Sequence, residues 1–260
     1  MADGQRWAVV TGASSGIGAE MARVLAERGY ALVLVARREE RLQALAGEIR
    51  AARPSSGIEV LTLDLEDRDA PMDLVESLTE RGIAVDTLVN NAGFGLRGKF
   101  ATLPYERQIG MIELNVTALT KLCRLVLPGL IERRRGGIIN VASTAAFQAG
   151  PNMAVYYATK AYVLSLSEAL HEEAKPHNVV VTALCPGPTE TEFAATADME
   201  MTRIFKFGSM PVAQVARAGV DGYEAGRAIV VPGVPNRLGT VGSKLFPRAL
   251  VRRIAGRLQG

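Results

Sequence analysis

Apolar runs rich in β-branched residues alternate along this chain with segments of helical periodicity. The runs lie at residues 8–11, 31–36, 59–63, 85–89, 137–143, 178–184 and 228–231, and each has the character of a buried strand. Between them, apolar positions predict helices over about 67–81, 104–134, 153–175 and 213–225. We find no internal repeat and no linker, so the pattern predicts a single α/β domain over residues 1–260.

A glycine-rich turn follows the first predicted strand. Its sequence, GASSGIG, places Gly12, Gly16 and Gly18 between that strand and a helix. Gly12 permits a tight turn, Gly16 lets the backbone approach a pyrophosphate, and Gly18 lets the helix pack on the strand. The helix N-terminus would then offer free N–H groups to phosphates. A plain structural turn is the alternative, but the second strand at the right distance favours a dinucleotide site.

The second predicted strand ends in two arginines. A preference for NAD usually comes from an acidic residue at this tip, which binds the ribose hydroxyls. Arg37 and Arg38 stand there instead, and a guanidinium group suits the additional 2′-phosphate of NADP. The alternative is that both residues merely begin a solvated helix. The sequence therefore favours NADP(H) as the cofactor.

The stretch from residue 143 to residue 160 combines a serine, a tyrosine and a lysine. Tyr156 and Lys160 are four positions apart on a predicted helix and so share one of its faces. An ammonium group near a phenol favours the phenolate, which would lower the pKa of Tyr156 and suit it to exchange a proton with a carbonyl or hydroxyl group. Tyr157 is only three positions from Lys160 and is the weaker candidate. The fifth predicted strand delivers Ser143 at its end.

Further polar groups stand at strand ends or interrupt apolar patterns. Asp64 follows the third strand and could lie near an adenine ring or cap the next helix. Asn115 interrupts the apolar face of the long helix, either at a local kink or as part of a polar relay. The motifs NNAG at 90–93 and CPGPTET at 185–191 follow two other strands, where backbone and polar groups could reach a cofactor.

Composition narrows the classes of function. The chain is 48% hydrophobic and 22% charged, which suits a sizeable core, and its formal net charge of +3 does not by itself indicate nucleic-acid binding. Two cysteines, Cys123 and Cys185, cannot form a disulfide framework and suggest a reducing compartment. We see no leader sequence, no apolar run of the ~18 residues that a membrane span needs and no cluster of metal ligands. We therefore expect a cytoplasmic protein without a metal.

Two segments carry less regular signals. Residues 190–210 are irregular and apolar, which suits a substrate-binding lid or packing against a partner subunit. Residues 235–260 form a basic tail without an acidic residue, which could be an amphipathic helix at a membrane surface or on an acidic partner. Such tails more often cover an oligomer interface or the protein's own core, so we do not expect membrane association.

Taken together, several motifs resemble those of the short-chain dehydrogenase/reductase family. They are TGASSGIG at 11–18, NNAG at 90–93, Asn115, Ser143, YYATK at 156–160 and PGPTET at 186–191. The resemblance covers roughly residues 6–232 and implies a doubly wound Rossmann domain, with a seven-stranded parallel sheet and helices on both faces. It implies that Tyr156 is the catalytic acid/base, which Lys160 activates while binding the nicotinamide ribose. Ser143 would polarise the substrate carbonyl, and Asn115 would hold a water that links Lys160 to solvent.

The same resemblance implies a cofactor site. The pyrophosphate would lie along Gly12, Ser14, Gly16, Ile17 and Gly18, the adenine at Asp64 and Leu65, the ribose at Asn91 and Ala92, and the nicotinamide end at Pro186, Gly187 and Thr189; Ser15 and Gly93 complete the site. Many NADP-dependent members carry a basic residue at the position of Ser15, so here the preference rests on Arg37 and Arg38. Tyr156 and Lys160 would also contact the cofactor.

The resemblance implies an NADPH-dependent oxidoreductase that reduces an aldehyde, a ketone or a 3-oxoacyl compound to an alcohol. Family members are commonly dimers or tetramers, so a homo-oligomer that binds a small-molecule substrate is expected. The alternatives are oxidation of a secondary alcohol and a non-catalytic NADP-binding protein.

Overall fold

Seven parallel strands form one sheet at the centre of the computed structural model, which describes residues 5–192 and 209–259. The strands are β1 (Trp7–Thr11), β2 (Ala31–Ala36), β3 (Ile58–Thr62), β4 (Val85–Asn90), β5 (Gly137–Val141), β6 (Val180–Leu184) and β7 (Ile229–Val230). Their spatial order is β3-β2-β1-β4-β5-β6-β7. The order reverses direction between β1 and β4, and in such sheets ligands bind beyond the carboxyl ends of the strands at that point.

Helices cover both faces of the sheet. They are α1 (Gly16–Glu27), α2 (Glu39–Ala52), α3 (Ala70–Glu80), α4 (Tyr105–Ile112), α5 (Leu119–Arg133), α6 (Ala154–Ala174), α7 (Val212–Glu224), α8 (Val234–Leu245) and α9 (Arg248–Gln259). Neighbouring residues of β1 point to opposite faces, as the pleat requires. Val9 packs in a core with side chains of α3, α5 and α6, whereas Ala8 and Val10 pack in a second core with α1, α2 and α7. The predicted doubly wound α/β fold is confirmed.

The fifth strand ends earlier than the sequence predicts. β5 ends at Val141, and Ser143 instead begins a short 3₁₀ turn, Thr144–Phe147. The Ser143 hydroxyl accepts a hydrogen bond from the Ala145 amide at 3.1 Å. Serine favours this capping geometry because its oxygen satisfies an amide that the turn leaves free. The residue still lies at the carboxyl edge of the sheet, which is what its proposed role requires.

The predicted long helix is continuous from Tyr105 to Arg133, but its middle, Glu113–Ala118, is wound as a π-helix. An 18-residue window of this helix has a mean hydropathy of 1.4 and is by length and composition alone apolar enough to cross a membrane, so the expectation that no such stretch exists is not met. Leu119, Leu122 and Leu130 of this run are buried in the core beside the sheet. The apolar pattern therefore serves packing against β4 and β5.

The structure describes only the ends of the predicted lid, residues 190–210, but nearly all of the basic tail, residues 235–260. Residues 193–208 of the predicted lid lie outside the described residues. The ends of that segment are paired, because Met210 donates to the Pro188 carbonyl at 2.9 Å and Glu190 donates to the Met210 carbonyl at 3.2 Å. The basic tail forms α8 and α9, and α8 packs against the turn that follows Ser143.

Candidate active site

A cleft of about 790 Å³ lies beyond the carboxyl ends of the strands. Its walls contain every residue that the sequence singles out for catalysis or cofactor binding, except Gly18 and Asn115. Those two residues lie behind the wall, where each supports a residue that does line the cleft. The fold thus brings segments that are far apart in the chain to the one place where an open α/β sheet binds ligands.

The glycine turn between β1 and α1 lets other groups approach its backbone closely. Gly12 and Gly16 have φ angles of 64° and 56°, in the left-handed region that favours glycine. A Cβ on Gly12 would lie 2.8 Å from Asn91 Nδ2, and one on Gly18 would lie 2.5 Å from the Gly12 carbonyl oxygen. Asn91 holds the turn from the other side, because its Nδ2 donates to the Thr11 carbonyl at 2.9 Å and to the Gly12 carbonyl at 3.2 Å. The first turn of α1 consequently borders the cleft without a side-chain cap among the described residues.

The two arginines after β2 have different partners. Arg37 lies beside Glu66 at 3.1 Å and Asp64 at 3.4 Å, on the solvent side of the cleft. Arg38 reaches back over the glycine turn, where it donates to Ser14 at 3.0 Å and to Ser15 at 2.8 Å. Arg38 is therefore the arginine that hydrogen bonds fix to the glycine turn.

A further acidic residue completes this group. Glu192 accepts from Arg38 at 2.9 Å and also pairs with Arg41. The hydrogen bonds from Arg41 and then Arg38 lower the pKa of the Glu192 carboxyl to about 2, so it is ionised at neutral pH. The sequence analysis placed Glu192 in the lid but missed Arg41 and its pairing with Glu192, because 151 residues separate the two in the chain.

Asp64 serves neither as a cap of α3 nor as an isolated acid. α3 begins at Ala70 rather than near residue 67, and its N-cap is Asp69. The Asp64 carboxylate instead accepts from the Glu66 amide at 3.1 Å, which fixes the turn after β3. Its side chain lines the cleft together with that of Leu65, as an adenine pocket would require.

Ser143 and Tyr156 both line the cleft. Burial raises the pKa of the Tyr156 phenol, and a hydrogen bond with the Ser143 hydroxyl opposes that rise. The net shift is upward, whereas the sequence predicts that Lys160 would lower this pKa. Tyr156 is consequently a protonated phenol at neutral pH.

Lys160 lies one turn beyond Tyr156 on α6, with its Nζ 5.9 Å from the centre of the Tyr156 ring. Its Nζ donates to the Val141 carbonyl at 2.7 Å. Burial lowers the pKa of Lys160 to about 8, and the nearby Cys185 opposes this shift. The predicted shared face is present, but the ammonium group is bound to the end of β5.

Asn115 occupies the π-helical segment and is almost fully buried. Its Oδ1 accepts from the Phe94 amide at 3.1 Å, and its Nδ2 donates to the Phe94 carbonyl at 3.0 Å and to Thr159 at 3.2 Å. A Cβ on Gly93 would lie 2.8 Å from Asn115 Oδ1 and 3.7 Å from Lys160 Nζ. Asn115 therefore fixes the NNAG loop against α6. The π-helical winding makes the helix irregular at this residue, whereas the polar relay stays a prediction.

Part of the cleft wall comes from residues that the sequence analysis did not assign to the site. Asn236, Thr240 and Ser243 of α8 line the cleft beside Gly187. A Cβ on Gly187 would lie 2.3 Å from Asn236 Oδ1, so this glycine permits α8 to approach. One signal was available, since α8 directly follows the carboxyl end of the last strand.

Comparison with known proteins agrees with this geometry. Residues 6–202 match the short chain dehydrogenase family, and this chain therefore belongs to that family. It is similar to an uncharacterised oxidoreductase of Myxococcus xanthus, with 37% identity over 75% of this chain and 77% of the relative. It is also 37% identical to a very-long-chain 3-oxoacyl-CoA reductase of Mycosarcoma maydis, over 68% of this chain but only 51% of that protein.

A solved structure resembles the whole fold. It is a short-chain dehydrogenase from Sphingobium yanoikuyae in complex with NADPH, with a TM-score of 0.83, 33% sequence identity, and coverage of 92% of this chain and 93% of that one. The two chains are thus similar in length as well as in fold, whereas this chain spans about half of the fungal reductase.

Proposed function

We propose that this protein is an NADPH-dependent reductase that converts a carbonyl compound to an alcohol, with Tyr156 as the proton donor. The observation that carries the proposal is that Ser143, Tyr156 and Lys160 line the same cleft as the glycine turn and Arg38. Membership of the short chain dehydrogenase family and similarity to a protein in complex with NADPH support it.

The residues of the cleft fit a dinucleotide with a 2′-phosphate. The turn at Gly12 and Gly16 leaves space that a Cβ would fill, and the uncapped first turn of α1 offers N–H groups and the positive end of a helix dipole to a pyrophosphate. Asp64 and Leu65 would hold the adenine, and Asn91, Ala92 and Gly93 a ribose. Arg38 would bind the 2′-phosphate through charge-assisted hydrogen bonds, with Arg37 contributing a weaker, solvent-screened attraction.

The protein itself would position the substrate carbonyl and transfer one proton to it. NADPH supplies a hydride when bound. The hydroxyls of Ser143 and Tyr156 would together polarise a substrate carbonyl, and Tyr156 would donate its proton to the oxygen as negative charge develops. A phenol with a raised pKa is still far more acidic than an alcohol, so this transfer remains downhill. Lys160 would hold the ribose and, with Asn115, link the phenol to solvent for reprotonation.

The substrate end of the cleft favours an apolar carbonyl compound. Phe94, Leu114, Phe246, Val251 and Ile254 line the cleft, and Asn236, Thr240 and Ser243 of α8 add only uncharged polar groups. A 3-oxoacyl compound or a bulky ketone suits such a wall better than a sugar does. The 3-oxoacyl class also draws support from the fungal relative, whose name assigns it a 3-oxoacyl-CoA substrate. The lid proposed for residues 190–210 lies mostly outside the described residues, and residues of α8 and α9 add to the wall of the cleft.

The test is the loss of NADPH absorbance in the near ultraviolet with purified full-length protein. The panel should contain medium-chain and long-chain 3-oxoacyl thioesters, aromatic aldehydes, bulky ketones and aldose sugars. We expect turnover with at least one apolar carbonyl and none with the sugars. Tyr156→Phe is the control for adventitious reduction. Binding of NADPH without turnover of any carbonyl, and without oxidation of the matching alcohols by NADP, would overturn the proposal and favour a non-catalytic NADP-binding protein.

A further inference from the structure

The outward face of α8 is a stripe of large apolar side chains. Val234, Leu238, Val241 and Leu245 recur at intervals of four, three and four residues, which places them on one side of the helix. Their side chains are 66%, 68%, 54% and 78% exposed. Phe246, Leu250 and Ile254 are also exposed and continue the apolar surface across the turn into α9.

The polarity of α8 is the reverse of that of an ordinary surface helix. Its inward face, which lines the cleft, carries Asn236, Thr240 and Ser243. Thr240 is buried, and its hydroxyl donates to the Arg237 carbonyl at 2.9 Å. A surface helix normally turns its apolar stripe to the core and its polar face to water. Here the apolar stripe faces outward, and a patch of this kind marks an interaction surface.

The charged residues in the chain segment that carries the stripe all have one sign. Residues 233–260 contain no aspartate or glutamate, whereas they contain Arg237, Lys244, Arg248, Arg252, Arg253 and Arg257. The five arginines are exposed. Leu250 and Ile254 are interleaved with Arg248, Arg252 and Arg253 on α9, so that apolar and cationic groups lie side by side. A partner for this surface must offer both apolar volume and negative charge.

This requirement distinguishes between two possible partners, a second copy of the chain and a lipid surface. A second copy of the chain in a symmetric dimer would bring the same patch against itself. The five exposed arginines of one copy would then meet those of the other, without an acid in the segment to neutralise them. An anionic lipid surface offers acyl chains for the leucines and phosphate headgroups for the arginines, which is the usual partner of a helix with this composition.

We propose that the outer face of α8 and α9 docks on the surface of an anionic lipid bilayer. The stripe Val234, Leu238, Val241 and Leu245 inserts at the boundary between headgroups and acyl chains, and the arginines bind lipid phosphates. Phe246 and Ile254 both belong to this face and line the cleft, so docking brings the apolar mouth of the cleft to the bilayer. Docking itself does not depend on the proposed reductase activity.

The test is cosedimentation of the full-length protein with vesicles. One vesicle contains equal parts of phosphatidylglycerol and phosphatidylcholine, and the other contains phosphatidylcholine alone. We expect the protein to pellet with the anionic vesicles at low salt and to be released at high salt, with little binding to the neutral ones. The double variants Leu238→Asp/Val241→Asp and Arg252→Glu/Arg253→Glu should each weaken binding about tenfold or more.

The control is Phe100→Asp, which places an aspartate at an exposed apolar residue, 65% exposed, outside the two helices. It should pellet as the wild type does. Far-ultraviolet circular dichroism and NADPH binding check that each variant is folded. Wild-type protein that stays in the supernatant with anionic vesicles, or double variants that bind like Phe100→Asp, would overturn the proposal. If the wild type does not pellet and Leu238→Asp/Val241→Asp converts an oligomer to a monomer in sedimentation velocity, the face is instead a subunit interface.

Discussion

Lys160 donates from its Nζ to the carbonyl oxygen of Val141 at 2.7 Å, and this bond ties α6 to the end of β5. β5 is the strand that leads into Ser143, and α6 carries Tyr156. The bond therefore fixes the relative position of the two hydroxyls that face the proposed substrate. Lysine is buried here at an energetic cost, because the chain takes an ammonium group out of water.

That cost makes the stability of the protein depend on pH. Burial lowers the pKa of Lys160 to about 8 from 10.5. Between these values the unfolded chain holds more protons on this group than the folded chain, so the free energy of unfolding rises with pH, by a total on the order of 3 kcal/mol. Below about pH 8 the penalty is fully present. Lys160→Met should remove this contribution and flatten the profile, as measured by urea denaturation near pH 8 and near pH 10.5.

An exposed lysine supplies the control for that experiment. Lys175 follows α6 and is exposed, so Lys175→Met should keep the pH profile of the wild type. An unchanged profile in Lys160→Met would mean that the rise comes from other groups and that Lys160 is not the buried, proton-poor group described above.

Asn115 has a structural duty that can be measured separately from catalysis. Its side chain pairs with both the amide and the carbonyl of Phe94. Asn115→Ala leaves these two buried backbone groups without their partner, and we expect a loss of about 2–4 kcal/mol in the free energy of unfolding. Urea denaturation measures it. Thr120→Ala, on the same long helix and half-buried, should cost about 1 kcal/mol or less; equal losses in both variants would contradict the special role of Asn115.

The sequence predicts the site where local pattern decides it. Gly12, Gly16 and Gly18 have their roles because a turn between a strand and a helix has few solutions, and Tyr156 and Lys160 share a face because helical spacing requires it. The direction of the Lys160 ammonium follows instead from where β5 ends, and no spacing encodes that. The pairing of Arg38 with Glu192, 154 residues away, and the approach of Asn236 to Gly187 depend on tertiary packing alone.

Tyr156→Phe should lower kcat for carbonyl reduction by about 10²–10⁴-fold, because it removes the proton donor. The Kd for NADPH, measured by fluorescence titration, should change little. Tyr157→Phe is the matched control, since Tyr157 is buried, also lines the cleft and is its neighbour on α6. It should retain most of the activity. A larger loss in Tyr157→Phe than in Tyr156→Phe would reassign the acid to Tyr157.

Arg38 and Arg37 are expected to differ in their effect on cofactor preference. Arg38 donates hydrogen bonds to Ser14 and Ser15 of the glycine turn. Arg37 instead forms ion pairs with Glu66 and Asp64. Arg38→Ala should raise the Kd for NADPH about 10- to 100-fold and leave that for NADH nearly unchanged, since a charged hydrogen bond contributes about 1.5–3 kcal/mol. Arg37→Ala should have a smaller effect. A larger rise in the Kd for NADPH in Arg37→Ala than in Arg38→Ala would mean that Arg37 binds the 2′-phosphate.

The Glu192 carboxylate should weaken the binding of NADPH at Arg38. Its carboxylate occupies the Arg38 and Arg41 guanidinium groups, so a 2′-phosphate must share or displace these bonds. Glu192→Gln removes the competing charge and should tighten NADPH binding about two- to fivefold, a modest change because exposed ion pairs contribute at most about 1 kcal/mol. NADH, which lacks the 2′-phosphate, should bind as it does to the wild type, and the gain should shrink at high salt. Glu190→Gln, at the neighbouring exposed acid, is the control. Equal tightening of NADH and NADPH, or weaker binding of NADPH, would mean that Glu192 instead positions the arginines for the phosphate.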